Sequence, residues 1–171
     1  KKIGSYRDCT LEEDTENRVS RAIFEFLMGE GRDLYKNGGA ARRFQDAVLT
    51  NLLHTSIVSG FADGSGQLAV AHATYDFLRT HHTEASYHFL HGEMVAVGLL
   101  VQMAYNGSSQ EEIQAVRSLM ADMHMPLTLA DLEYDCSGAQ RDFFLQTIAA
   151  DANITTPADM SLLRAALEEA L

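Results

Sequence analysis

Apolar positions recur at helical spacing along most of the chain. Val19, Ala22, Ile23, Phe26 and Leu27 fall at i, i+3, i+4, i+7 and i+8, behind a Thr10–Glu13 stretch with the S/T-x-x-E form of a capping box. Gly29 and Gly31 are expected to end that helix. Phe44, Ala47, Val48, Leu52 and Ile57 predict a second helix from about Ala40 to Ser59, after an Asn37-Gly38-Gly39 turn. Gly60, Gly64 and Gly66 then lead to Ser65, the expected N-cap of a helix containing AVAHAT. Its Ala69, Ala71 and Ala73 keep it slim, so neighbours can approach closely. After a polar loop, RTHHTEASYH, comes LHGEMVAVGLLV. The run from Met94 to Val101 has no charged or strongly polar side chain, and a helix apolar all round belongs in the middle of a bundle.

The second half continues the pattern. Asn106-Gly107 makes a turn, and Ser109 with Glu112 forms a second capping box. Ile113, Val116, Met120 and Met123 give the buried side of the helix that follows, which Pro126 prevents from running on. Thr128 to Asp131 suggests one short helical turn, and Phe143, Phe144, Ile148 and Ala149 a helix from about Ser137 to Asp151. Thr156-Pro157 announces the last helix, with Leu162, Leu163, Ala166, Leu167 and Leu171 expected on its buried face. No strand pattern, internal repeat or low-complexity linker appears. The expectation is an all-α bundle of about seven helices forming a single domain over residues 1–171.

Charge narrows the partners. Asp and Glu number 24 against 13 Lys and Arg, a net charge of -11, which argues against nucleic acid and anionic membranes. No run of 18 apolar residues and no signal-peptide pattern is present. Cys9 and Cys136 are isolated and form no CxxC motif, which suits a reducing cytoplasm. The chain opens on Lys1-Lys2 rather than Met, a hint of a longer polypeptide that processing or cloning would explain equally well.

The candidate chemistry is histidine. His72 lies inside one apolar helix and His91 opens the next. Two imidazoles on neighbouring buried helices can share one metal ion, but two do not close a site that needs at least three protein ligands. A structural, hydrogen-bonded role stands beside the ligand role. Near a helix N-terminus the dipole disfavours imidazolium, which keeps His91 available as a ligand. Gly92 beside it allows close backbone approach, and Glu93 suits a capping or ligand-orienting role. His81, His82 and His88 read as solvated loop residues, with HHTEASYH an adventitious metal-binding tract at most. His54 reads as helix packing and His124 as favourable for a helix C-terminus.

GSGQLAVAHA, the polar loop and LHGEMVAVGLLVQ together resemble the histidine segments of the glycerol dehydrogenase branch of the iron-containing alcohol dehydrogenases. That superfamily also includes dehydroquinate synthase. MPLTLADL (Met125–Leu132) is similar to the family's G-L-P-x-T-L-x-x-L turn, and TTPADMSLLRAALEEAL to its closing helix. KKIGSYRDCTLEED is more faintly similar to a segment beginning A-D-x-x-G-K-Y. Nearly the whole chain therefore resembles the family's C-terminal helical domain. The resemblance implies Zn²⁺ or Fe²⁺ held by His72 and His91 with a third, aspartate ligand, and a small polyol or alcohol as substrate. It also implies that NAD is bound by an N-terminal α/β domain.

Three departures follow. No strand–glycine-rich–helix unit is present, so the NAD-binding domain is expected to be absent and the chain alone inactive. Lys1 falls where the aspartate would be, and no motif assigns Asp8, Glu12, Glu13 or Asp14 in its place. Tyr75 stands where the branch often has a further histidine, followed by Asp76 and Phe77 in place of Asn-Gly. The catalytic residues, the substrate and the oligomeric state stay open, and a homo-oligomer is compatible. The alternatives are a non-catalytic or degenerate helical oligomerisation module and, third, a phosphopolyol-dehydrogenase or dehydroquinate-synthase-like domain. For the last, Arg79 is the nearest phosphate partner.

Overall fold

A computed structural model describes residues 10–62 and 69–170. The chain separates into two compact units, Lys1–Gly66 and Gln67–Leu171. Both are helical, with no strand among the described residues.

In the first unit α1 (Leu11–Asn37) starts on the expected capping box. The Thr10 N–H donates to Glu13 Oε2 (2.8 Å) and the Glu13 N–H to Thr10 Oγ1 (3.2 Å). Contrary to the sequence expectation, α1 runs through Gly29 and Gly31, and Gly31 is buried. An interior glycine costs only about 1 kcal/mol relative to alanine, which the packing of a 27-residue helix absorbs. The helix stops at Gly38, whose φ of 52° favours glycine. A 3-10 turn (Gly38–Ala40) then leads to α2 (Phe44–Leu49), a π turn (Thr50–His54) and α3 (Thr55–Ala62). These last three form one continuous helix that begins later and ends later than expected, and Gly60 lies within it. Arg42 pairs with Glu30 at 2.8 Å, and the Arg43 guanidinium lies over the Phe26 ring, tying the returning helix to α1. Gly64, Ser65 and Gly66 lie outside the described residues, as do Lys1, Asp8 and Cys9.

The second unit contains α4 (Val70–His81), the single turn α5 (Thr83–Ser86), α6 (His91–Tyr105), α7 (Gln110–Asp122), α8 (Gly138–Asp151) and α9 (Pro157–Ala170). With α2–α3 taken as one helix and α5 set aside, the described residues give the seven expected helices. Helix α6, apolar from Met94 to Val101, is central, lying against α4, α7 and α9, while α8 packs on α4. Met94, Val97, Leu100 and Val101 from α6 meet a core that includes Phe77, Phe144, Ile148 and Leu163. Each such side chain contributes about 1.5–3 kcal/mol of burial. The small-residue expectation for α4 holds at Ala71 and Ala73, while Ala69 is its exposed N-cap. Ala71 and Ala73 are buried, and a Cβ on Gly98 of α6 would lie 2.8 Å from Ala71 O and from Thr74.

The ends follow the sequence signals in part. The Glu112 N–H donates to Ser109 Oγ (3.2 Å), the Asp159 N–H to Thr156 Oγ1 (3.1 Å), and Gly107 turns at φ 76°. Helix α7 ends before Pro126, with His124 at φ 56° and the Met125 N–H reaching Met120 O (3.0 Å). Asn153 closes α8 in the same left-handed way. Thr128–Asp131 forms hydrogen-bonded turns in place of a helix. Leu162 is a correction: it is 55% exposed, and the buried stripe of α9 runs through Leu163, Ala166, Leu167 and Ala170. Leu171 lies outside the described residues.

Candidate functional site

The second unit brings the two histidines together. His72 stands in the first turn of α4, and His91 is the first residue of α6. Their ring centroids are 5.8 Å apart. Both residues are exposed, where the sequence pattern suggested buried imidazoles. The apolar side of each helix faces the core, so the histidines fall on the open side. Tyr75, one turn after His72, sets its ring edge-on to His91 with centroids 4.2 Å apart. Asp76, four residues after His72, shares that helix face and is half-buried.

Backbone contacts fix this spacing. The close approach at Gly98 brings α6 against α4 two residues beyond His72. Gln102 of α6 accepts the Ala71 N–H with its side-chain oxygen (3.1 Å). Ala69 offers α4 no side-chain cap, so Gln102 satisfies one of the orphan donors of the first turn from a neighbouring helix. Sequence reasoning missed both residues. An isolated glycine in an otherwise apolar helix was the available signal for Gly98.

Glu93 caps, as expected: its Oε2 accepts the Leu90 N–H at 2.7 Å, satisfying the chain just before His91. A Cβ on Gly92 would meet nothing within 4 Å, so no protein group crowds the backbone there. Among the described residues, no set of three His, Cys, Asp or Glu side chains is placed to hold a metal ion.

His81, His82 and His88 make contacts within this unit, where solvated side chains were expected. The His82 Nε2–H donates to the Glu133 carbonyl (2.9 Å), and His88 Nδ1 lies 3.2 Å from Glu133 Oε1. These contacts pin the α5 segment to a turn where Glu133 adopts φ 61°. The His81 ring packs edge-on to Phe143 at 4.9 Å. His54 is exposed on the π turn rather than packed between helices. Arg79 is engaged as well, with its guanidinium 4.4 Å above the Tyr87 ring. A concavity of about 460 Å³ elsewhere in this unit is lined by residues including Tyr134, Cys136 and Arg141. Burial there pushes the Cys136 thiol up and the Tyr134 phenol up to about 12.

No family model matches the chain. It is similar to the glycerol dehydrogenase of Pseudomonas putida, with 34% identity over 124 residues, 70% of this chain and 32% of that protein. The glycerol dehydrogenase of Thermotoga maritima is 34% identical over 121 residues, 71% of this chain and 32% of that protein. Hydroxycarboxylate dehydrogenase A of Escherichia coli is 34% identical over 101 residues, 58% of this chain and 27% of that protein. The chain thus spans between a fifth and a third of the length of the curated relatives it matches.

Proposed function

We propose that this chain, a relative of the glycerol dehydrogenases, is the metal-binding helical part of a cytoplasmic, NAD-dependent alcohol or polyol dehydrogenase. The observation that carries the reading is the His72–His91 pair, two exposed imidazoles side by side on packed helices. Two imidazoles with ring centroids 5.8 Å apart are the type of donor that Zn²⁺ and Fe²⁺ take, and they would supply two of the ligands.

A bound divalent ion would supply Lewis-acid polarisation of an alcohol oxygen, and NAD would supply the hydride acceptor. The chain's own part is positional. Glu93 holds the turn that carries His91, Gln102 holds the turn that carries His72, and the edge of Tyr75 orients the His91 ring. The third ligand and the nicotinamide site come from outside the described residues, and on this reading the isolated chain turns over no substrate.

Zn²⁺ titration tests the pair. Weak binding that disappears in His72→Ala/His91→Ala but persists in His81→Ala/His82→Ala/His88→Ala is the expected result. Binding that is absent, or equal in the first variant, sinks the metal assignment, and NAD-dependent oxidation of glycerol by the isolated chain refutes its inactivity. The second reading, a non-catalytic helical module, is favoured by one observation, the lack of a three-ligand group among the described residues.

A further inference from the structure

The concavity of about 460 Å³ in the second unit shares no residue with the site around His72 and His91. The turns from Thr128 to Cys136 form one wall. The first turn of α8 adds Arg141, and the last turn of α9 adds Leu167 and Glu168. Its volume lies within the range of small-molecule pockets. Leu129 and Leu167 give it an apolar part.

The wall carries charge of both signs. Arg141 is cationic, while Asp135 and Glu168 are anionic. Burial raises the Cys136 thiol, Arg141 lowers it, and Asp135 raises it again, so both signs act on one point of the wall. Cys136 and Tyr134 stay neutral at neutral pH, because burial holds both groups up. Arg141 is only partly used. Its Nη2–H donates to Glu168 Oε1 (2.5 Å), and its Nε–H is buried without an acceptor. A guanidinium fork is built to take further acceptor oxygens.

The mixture selects the occupant. A simple carboxylate would meet Arg141 but face two like charges. A simple ammonium would meet the two carboxylates but face the guanidinium. A molecule carrying both groups on one small frame satisfies both signs, and the apolar part leaves room for a side chain. We propose that this cavity binds a small zwitterion of the α-amino-acid class. Its carboxylate lies on Arg141, its ammonium towards Asp135 and Glu168, and its apolar side chain against Leu129 and Leu167.

Titration of the full chain with L-leucine, followed by proton–nitrogen correlation spectra, tests this. Saturable shifts of the Cys136, Arg141 and Leu167 amides are expected. The two single-charge analogues, 4-methylpentanoate and 3-methylbutylamine, should each bind at least about tenfold more weakly. Asp135→Asn/Glu168→Gln should weaken L-leucine and tighten 4-methylpentanoate, because the ammonium loses its partners and the carboxylate loses its repulsion. A merely disturbed cavity would weaken both. No saturable shift with L-leucine, shifts that fall elsewhere, or an analogue that binds as tightly as L-leucine overturns the proposal. So does a double variant, folded by the same spectra, that changes L-leucine and 4-methylpentanoate in the same direction.

Discussion

Replacing Gly98 by alanine tests the contact that sets the spacing of the two histidines. A Cβ at this position would lie 2.8 Å from Ala71 O, Thr74 Cβ and Thr74 Oγ1. The first two atoms are fixed to the α4 backbone and cannot swing aside as the end of a long side chain would. Restoring an ordinary 3.4 Å contact requires α4 and α6 to part by about 0.6 Å. Overpacking of this kind costs about 1–3 kcal/mol. Alanine also recovers about 0.8–1 kcal/mol of helix propensity, which acts in the opposite direction. Taking the middle of the overpacking range, about 2 kcal/mol, the clash wins with a net loss of about 1 kcal/mol. For a unit of this size that lowers the midpoint by roughly 4–8 °C. Gly92→Ala is the control in the same helix, because its Cβ meets nothing within 4 Å and only the propensity gain remains. Thermal unfolding followed by far-ultraviolet circular dichroism should show Gly98→Ala clearly below the parent and Gly92→Ala at or above it. Equal midpoints for the two variants would refute the close-approach argument.

Gln102→Ala leaves the Ala71 N–H of the first turn of α4 without its acceptor, and denaturant titration should show a loss of about 1 kcal/mol. Gln102→Glu keeps an acceptor and places negative charge at a helix N-terminus, so it should retain most of the stability. The Asp131 carboxyl is held below its ordinary range chiefly by the Leu127 N–H, then by Thr128 and Arg117, against the opposing effect of burial. Its folded pKa therefore lies below its unfolded one, so its stabilisation is present above the ordinary carboxylate pKa and is lost as pH falls through the lower folded value. Urea midpoints should put Asp131→Ala below the parent at neutral pH, with the gap closing in acid. A gap that stays constant with pH would show that the turn does not depend on this carboxylate's charge.

Local signals were legible where the chemistry is local. Thr10 with Glu13, Ser109 with Glu112 and Thr156 with Pro157 each start a helix as their spacing predicts, because a cap needs only its own turn. The central place of α6 was legible because a helix without a polar face has only one kind of environment available. Stops were read less well. Glycine weakens a helix without ending it, so Gly29 and Gly31 misled, whereas His124 and Asn153 end helices in a conformation usually given to glycine. The π turn carries no composition of its own. Leu162 differs from its neighbour Leu163 only by rotation about the α9 axis, which a five-residue apolar list does not resolve.

The candidate site divides along the same line. Two histidines at the starts of two consecutive apolar helices were visible in the sequence, but their spacing depends on contacts about 30 residues apart, Gly98 with Ala71 and Thr74, and Gln102 with Ala71. A sequence shows that such helices can meet, without showing how close they come. The same packing explains why the imidazoles are exposed. Ala71, Ala73 and Phe77 turn inward from α4, as Met94, Val97 and Leu100 do from α6, so His72 and His91 fall on the outer side of both helices. The core that holds their spacing does not include them. On the proposed reading, the pair is therefore set by helix packing and the Gln102 hydrogen bond before any ligand arrives.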